Sequence, residues 1–389
     1  MKTISASATV TINSIAALKR KCGELVHNFA AGDPILDNHP SIINSAMEHV
    51  KKGVNPYPPV EGILELRRLA AEWVNATCQT QYAKENVLVT CGGKFALFAF
   101  FYSLLQSGDE VLIPEPYWVS YPDMVKMAGG VPSIVPTQAE NGWKLTPRDL
   151  VAMITEKSKM LIFNNACNPT GVVYTRQEVS EILDVAKKFD LMVLSDEVYS
   201  GLVYEEPGFV SCGAFPEHSE RVFVVQSCSK SFGMTGWRVG FALGPEKVIK
   251  GLTSIQSQTT TGTALVSQWA AVGALENAAE VNVYVKAAMK KRRDLFISIY
   301  NSLFPMQLDK IESALYAFVP LYSMGVKGIT DSVAFCEQMI KNGNIALVPG
   351  TAFGVDGHVR FAFSETEENI NQALHALKKA IEQKRPWKA

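Results

Sequence analysis

The sequence predicts an α/β fold, a mostly parallel sheet covered on both faces by helices and joined to a smaller α+β domain, and three observations predict it. From residue 85 onward, short apolar, β-branched runs alternate with helical stretches, the order that parallel strands with crossover helices require. The chain has 389 residues, 47% apolar and 19% charged, which is more than one hydrophobic core usually serves and so predicts two domains. After about residue 275 the alternation stops and a long charged helix begins, containing Lys290, Lys291, Arg292 and Arg293.

In chain order, Val87 to Thr90 reads as a strand and 95–106 as a helix. Strand 110–113 is followed by helix 117–128, then strand 131–135, helix 147–154, strand 159–163 and helix 175–189. Strand 191–195 and, after a loop, strand 222–226 complete the series. Helix 276–303 opens a smaller α+β segment that ends in the strand Val359 to Phe363. Ser364 with Glu367 three residues on reads as a capping box for the last helix, whose Ile370, Ala373, Leu374, Leu377 and Ile381 share one face. The pattern divides the chain into 1–40, an N-terminal arm and part of the small domain, 41–275, the large domain, and 276–389, an interdomain helix with the small C-terminal domain.

Thirty-seven basic against 38 acidic residues leave a formal charge of -1, with no basic surplus for nucleic acid or an anionic membrane. The longest nearly unbroken apolar run, Phe95 to Leu105, is about half the ~20 residues of a spanning helix. No signal-peptide core follows the small, polar N-terminus, so a cytoplasmic location is expected. Seven scattered cysteines without C-x-x-C spacing read as free thiols in a reducing compartment, not as a zinc or redox site.

Ligands of parallel sheets sit at the carboxyl ends of strands, so the residues that follow each strand carry the chemistry. Gly92, Gly93 and Lys94 follow the first strand and open into a helix, where backbone N–H groups can receive a phosphate. Asn168-Pro169-Thr170-Gly171 follows strand 159–163, and Asp196-Glu197-Val198-Tyr199 follows strand 191–195. Ser227-Cys228-Ser229-Lys230 follows strand 222–226, with Arg238 eight residues beyond the lysine. Each alone is more simply a turn, a helix cap or a surface charge. Together they supply a lysine amine, a carboxylate and a phosphate cradle, which suits pyridoxal 5′-phosphate.

These segments, with Ser195-Asp196-Glu197-Val198-Tyr199 and Ser227-x-Ser229-Lys230-x-x-Gly233-Met234-x-Gly236-x-Arg238-x-Gly240, resemble the signatures of fold-type I, class I pyridoxal-phosphate aminotransferases. Tyr57-x-x-x-x-Gly62-x-x-x-Leu66-Arg67 and Pro116-Tyr117-Trp118-Val119-Ser120-Tyr121-Pro122 also match, and within the class the chain is most similar to the bacterial Iβ aspartate aminotransferase subgroup. The resemblance implies a large domain with a seven-stranded-type sheet and a ping-pong transfer of an amino group between an amino acid, aspartate first, and a 2-oxo acid. It makes Lys230 the Schiff-base lysine, Asp196 the partner of the pyridine nitrogen, and Asn168 and Tyr199 the partners of the cofactor's phenolic oxygen. Trp118 stacks on the ring, while Ser227, Ser229, Arg238, Gly93 and Lys94 hold the phosphate. Tyr57 reaches the phosphate of a neighbouring subunit, which implies a homodimer with shared sites. Arg360 and Gly32 hold the substrate α-carboxylate, and the Lys94 side chain meets a distal carboxylate. Aromatic, prephenate or alanine aminotransferases and a lyase on the same fold are the rival readings.

Three departures stand beside the matches. Thr3 occupies the place of an arginine often found before Ser7-Ala8-Thr9, Asp33-Pro34-Ile35-Leu36 replaces Glu-Pro-Asp-Phe, and Ser313-Ala314-Leu315-Tyr316 stands where Ser-Gly-Ala-Phe is common. They bear on side-chain specificity and leave the chemistry of transfer untouched.

Overall fold

The computed structural model describes residues 8–53, 55–206, 208–326 and 330–383. Thr3 and Ser7 lie outside them. Helix α1 (Ala8–Lys21) leads to β1 (His27–Asn28), α2 (Pro40–Lys51) and α3 (Leu64–Cys78). The alternating series then follows as β2 (Val87–Thr90), α4 (Gly93–Leu104), β3 (Glu110–Pro114), α5 (Tyr121–Met127), β4 (Val131–Val135), α6 (Pro147–Met153), β5 (Ser158–Asn164), α7 (Arg176–Lys188), β6 (Met192–Asp196) and β7 (Val222–Ser227). Seven strands form one sheet in the order β2-β8-β7-β6-β5-β3-β4. Its member β8 (Gly240–Leu243) is antiparallel to both neighbours, and all other pairs are parallel.

Side-chain alternation builds the layers above and below this sheet. Leu161, Phe163, Val193, Val222 and Val224 enter one core with α3, α7 and α10 (Leu265–Glu276). Met160, Ile162, Leu194, Phe223 and Val225 enter the other with α4, α5 and α9 (Glu246–Ser257). The short helix α8 (Cys228–Ser231) continues directly from β7. Beyond it, α11 (Ala278–Leu303) buries Val285, Met289, Phe296 and Tyr300 at helical spacing against a third core. That core includes β9 (Tyr316–Pro320) and β12 (His358–Ala362), which with β11 (Val348–Pro349) form a three-stranded sheet, and α12 (Ser332–Asn342) packs beside it. The N-terminal β1 pairs with β10 (Ile345–Ala346), so residues near 28 belong physically with the C-terminal segment. Helix α13 (Glu367–Gln383) buries the five residues that its periodicity predicts.

Most element ends fall within two residues of the sequence reading, and four features depart from it for local reasons. The helix expected over 117–128 starts only at Tyr121, because Pro122 is tolerated solely in the first turn. Residues 117–120 stay in a loop. Strand β8 escaped the pattern because it opens on Gly240 inside the motif segment, leaving only Phe241-Ala242-Leu243 before Gly244. Asp196 is the last residue of β6 and not the first of a turn. Ser364 does not cap the last helix: its Oγ donates to Ala31 O at 3.1 Å, and Thr366 Oγ1 accepts the Asn369 N–H instead.

Candidate active site

The carboxyl ends of β2, β5, β6 and β7 lie along one edge of the large sheet, with the amino end of β8 among them. Register pairs Thr90 and Ser227 with Gly240, and Asn164 with Asp196, so the four motif segments start side by side. A cavity of 450 Å³ lies over this edge. Gly93, Lys94, Trp118, Asn168, Asp196, Tyr199, Ser227, Ser229, Lys230, Arg238, Gly32 and Arg360 all line it.

One end of the cavity is a cradle of backbone and hydroxyls. Gly92 caps α4 at φ 82°, a conformation that favours glycine, and a Cβ there would strike the Arg238 guanidinium. A Cβ on Gly240 would strike the backbone of Gly92 and Gly93, so β8 passes too close for any side chain. The first N–H groups of α4 have no intrahelical acceptor and point with the helix dipole toward this space. Ser227 Oγ accepts the Ser229 N–H at 3.1 Å, which brings both hydroxyls, 2.9 Å apart, to the same place. Arg238 donates only to Thr235 O, at 2.9 Å, and meets no carboxylate among the described residues.

In the middle of the cavity, Asp196 is buried and its Oδ2 accepts the Tyr121 hydroxyl at 2.7 Å. Burial pushes its carboxyl up to about 6, while the hydrogen bonds from Tyr121 and the Val198 N–H hold it down. Asn164 ties neighbouring parts together: Nδ2 donates to Asp196 O at 2.9 Å and Oδ1 accepts the Asn168 N–H at 2.8 Å. Lys230, on α8, reaches across to donate to Gly32 O, with Asp33 Oδ1 at 3.8 Å.

At the far end, Arg360 sits on the central strand of the small sheet and is only 2% exposed. It donates to Asn168 Oδ1 at 3.1 Å and to Ala30 O at 2.8 Å, and its Nε has no partner. The guanidinium lies 4.2 Å from the Tyr316 ring centroid, and no carboxylate among the described residues pairs with it. Burial pulls its pKa below the ordinary arginine value, opposed by the Tyr316 and Tyr199 phenols. An uncompensated buried cation is costly, and an incoming carboxylate relieves that cost. Tyr199 donates to or accepts from Tyr316 at 2.7 Å, and burial raises the Tyr199 phenol well above its usual range.

Lys94 sits at the mouth, its ammonium 4.7 Å from the Trp118 ring centroid and 3.3 Å from Ser120 Oγ. Partial burial and the nearby Arg238 charge lower its pKa. Tyr57 is not brought to this cavity; it is 89% exposed. Cys167 and Cys228, which adjoin motif residues, are buried, and burial pushes both thiols up.

The sequence profile of the family described as aminotransferase class I and II matches residues 25–377. That decides the family. The chain belongs to the class I and II aminotransferases. It is 35% identical over 378 residues to the aspartate/prephenate aminotransferase of Thermus thermophilus, covering 96% of each chain. It is 32% identical over 381 residues to the aspartate aminotransferase of Bacillus subtilis, covering 97% of each. Its fold superposes on a Thermus thermophilus aspartate aminotransferase structure with maleate at a TM-score of 0.90, with 34% identity and 98% and 100% of the two chains covered.

In this aminotransferase the cavity gathers every residue to which the resemblance gives a cofactor or substrate role, except Tyr57. It adds Tyr121, Asn164 and Tyr316, which the sequence reading did not assign. Tyr121 lay inside a quoted motif, but nothing in a string of residues says which of two tyrosines turns inward. Tyr316 stands out in the sequence only as a departure. Asn164 gave no signal beyond ending a strand.

Proposed function

We propose that this aminotransferase uses pyridoxal 5′-phosphate and moves an amino group between a dicarboxylic amino acid, aspartate or glutamate, and a 2-oxo acid in two half-reactions. The observation that carries the reading is the buried Arg360 guanidinium, which meets no carboxylate among the described residues and leaves Nε without a partner, in the same cavity as Lys230 and Asp196. The glycine cradle at Gly92, Gly93 and Gly240, where a Cβ would crowd Arg238, Val198 or the Gly92–Gly93 backbone, together with Ser227, Ser229 and Arg238 fits a phosphate. Lys230 would hold the cofactor covalently through Nζ, and Asp196 would keep its ring nitrogen protonated. When bound, the cofactor supplies the electron sink for the pair left at the substrate α-carbon.

The protein's own groups do the rest. Arg360 grips the α-carboxylate with a planar fork, and the grip holds the α-hydrogen in the direction from which it can be removed. Freed when the substrate's amine takes its place, Lys230 Nζ, which faces the substrate space across Gly32, would take the proton from the α-carbon. Lys94 supplies a second cation for a distal carboxylate, and the similar Thermus structure was solved with maleate, a dicarboxylate. Prephenate is the second reading, favoured by the names of relatives that pair it with aspartate.

Mixing the protein with pyridoxal phosphate and a panel of amino acids one at a time should change the visible absorption most with aspartate and glutamate. Borohydride reduction and peptide mapping should find the label on Lys230. A label elsewhere, or no preference for dicarboxylates over alanine and phenylalanine, overturns the respective part.

We also infer that Tyr57 serves the site of a second copy, which makes a homodimer of chains divided near residues 40 and 275 the working unit. Mixed dimers of Tyr57→Ala and Lys230→Ala chains should regain one competent site. Failure to complement would mean that Tyr57 has no role across an interface.

A further inference from the structure

We propose that the Tyr316 hydroxyl is a positioning group that fixes Tyr199 as a hydrogen-bond donor into the cavity, so that the carboxylate clamp and the cofactor's phenolic oxygen are joined through two phenols. The inference rests on the reading of the cavity as a pyridoxal-phosphate site.

The two hydroxyls are 2.7 Å apart and both rings are buried, meeting edge to face at 5.8 Å between centroids. Two phenols sharing one hydrogen bond leave one proton over, and its direction depends on which ring donates. The Arg360 charge, 4.2 Å from the centroid of the Tyr316 ring, favours Tyr316 as the donor. Tyr199 then accepts from Tyr316 and points its own proton at the cavity. An anionic oxygen on the cavity side selects the same order, giving a chain of donors from Tyr316 through Tyr199 to that oxygen. Hydrogen bonds in such a chain polarise one another, so Tyr199 donates more strongly than it would alone.

The position of the hydroxyl is enforced. Any side chain at Gly32 would collide with it, and Gly32 O is the acceptor for Lys230. The hydroxyl therefore touches both the loop that faces the substrate carboxylate and the phenol that faces the cofactor. With phenylalanine at 316, the ring under the guanidinium would remain but the relay would not exist. Tyr316→Phe consequently removes one oxygen while keeping the packing and the contact with Arg360.

The experiment is a pH titration of the visible absorption of the holoenzyme, wild type against Tyr316→Phe. A weaker Tyr199 donor stabilises the anionic form of the phenolic oxygen less, so the midpoint should move up by about half a pH unit in the variant. Tyr199→Phe should move it further in the same direction, and adding Tyr316→Phe to that background should move it no more. Maleate binding to Tyr316→Phe should stay within about twofold of wild type, since the charged contacts and the ring persist. A Tyr316→Phe titration that coincides with wild type overturns the inference, as does an equal shift in the Tyr199→Phe background. Either result leaves the cofactor reading standing. A wild-type protein that takes up no pyridoxal phosphate at Lys230 rejects both.

Discussion

At the sheet end of the cavity, the floor comes from strand ends adjacent in the sheet: Gly92 and Gly93 after β2, Asp196 at the end of β6, Ser227 to Lys230 after β7, and Gly240 opening β8. At the other end, Arg360 touches Asn168 and Ala30, residues 192 and 330 positions away, and its neighbour Tyr316 lies on β9. The first end is a single rigid edge in which hydrogen-bonded register fixes each group. The second is an assembly of the N-terminal segment, the small sheet and one loop of the large sheet. The difference divides the expected roles: on the proposed reading the sheet end would hold the cofactor and the assembled end would grip the carboxylate common to every substrate.

The largest effect should come from the sheet end. Asp196→Asn keeps the Tyr121 partner and the cavity's shape but replaces the charge with an amide. Cofactor should still bind, and kcat should fall on the order of a thousandfold for every amino acid. A near-normal kcat would remove the basis for assigning the chemistry to this end.

At the assembled end, Arg360→Lys keeps one positive charge and loses the fork. It should cost roughly a hundredfold in kcat/KM for all substrates, because every amino acid has an α-carboxylate. An equal cofactor defect in this variant would show that the two ends are not separable.

Lys94→Ala tests the same division inside one residue, since its backbone belongs to the cradle and its ammonium to the mouth. Loss of one charge-assisted contact should lower kcat/KM for aspartate roughly ten- to hundredfold. Alanine and aromatic substrates, lacking a distal carboxylate, should change little. A uniform loss would move the side chain to the cofactor's account and weaken the dicarboxylate reading.

The same division explains how much could be read in the sequence. Strand ends that form one edge appear as short contiguous motifs, so the gathering of Asp196, Lys230 and the glycine and serine cradle at one edge is legible from order and spacing. Arg360 was legible only through resemblance, because nothing in Val359-Arg360-Phe361 says that the residue is buried. Tyr121 and Asn164 were not legible at all, since their importance lies in the direction of a side chain and in pairing between β5 and β6. The failed capping box has the same origin: Ser364 had a tertiary acceptor in Ala31 O that no local pattern contains.

The smallest effect on turnover, and the sharpest contrast, lies one residue from Asp196. Glu197 is also fully buried, but it turns to the opposite face of the sheet. There Oε1 accepts from Ser195 Oγ at 2.8 Å, Ser211 Oγ at 2.9 Å and Cys212 N at 3.0 Å, and Oε2 accepts from Gln226 Nε2 at 3.3 Å. Burial pushes this carboxyl up to about 7 from an ordinary 4.5, against those hydrogen bonds. The folded protein therefore binds the proton more tightly than the unfolded chain. The stabilisation that this proton provides is complete below pH 4.5 and is lost as pH rises to about 7. The shift corresponds to a stability change on the order of 3 kcal/mol across that window. Glu197→Gln should flatten the decline while leaving kcat within about twofold of wild type. Asp196, raised only to about 6, should behave differently: its own share of the slope should vanish when a protonated ring nitrogen sits beside it, so cofactor loading should change the Asp196 component and leave that of Glu197. Urea unfolding of apo and holo protein at pH 5 and pH 7.5, in wild type and Glu197→Gln, separates the two. Parallel loss of stability in wild type and variant over this window would mean that Glu197 stays ionised in the fold and that the contrast between adjacent carboxylates is one of position alone.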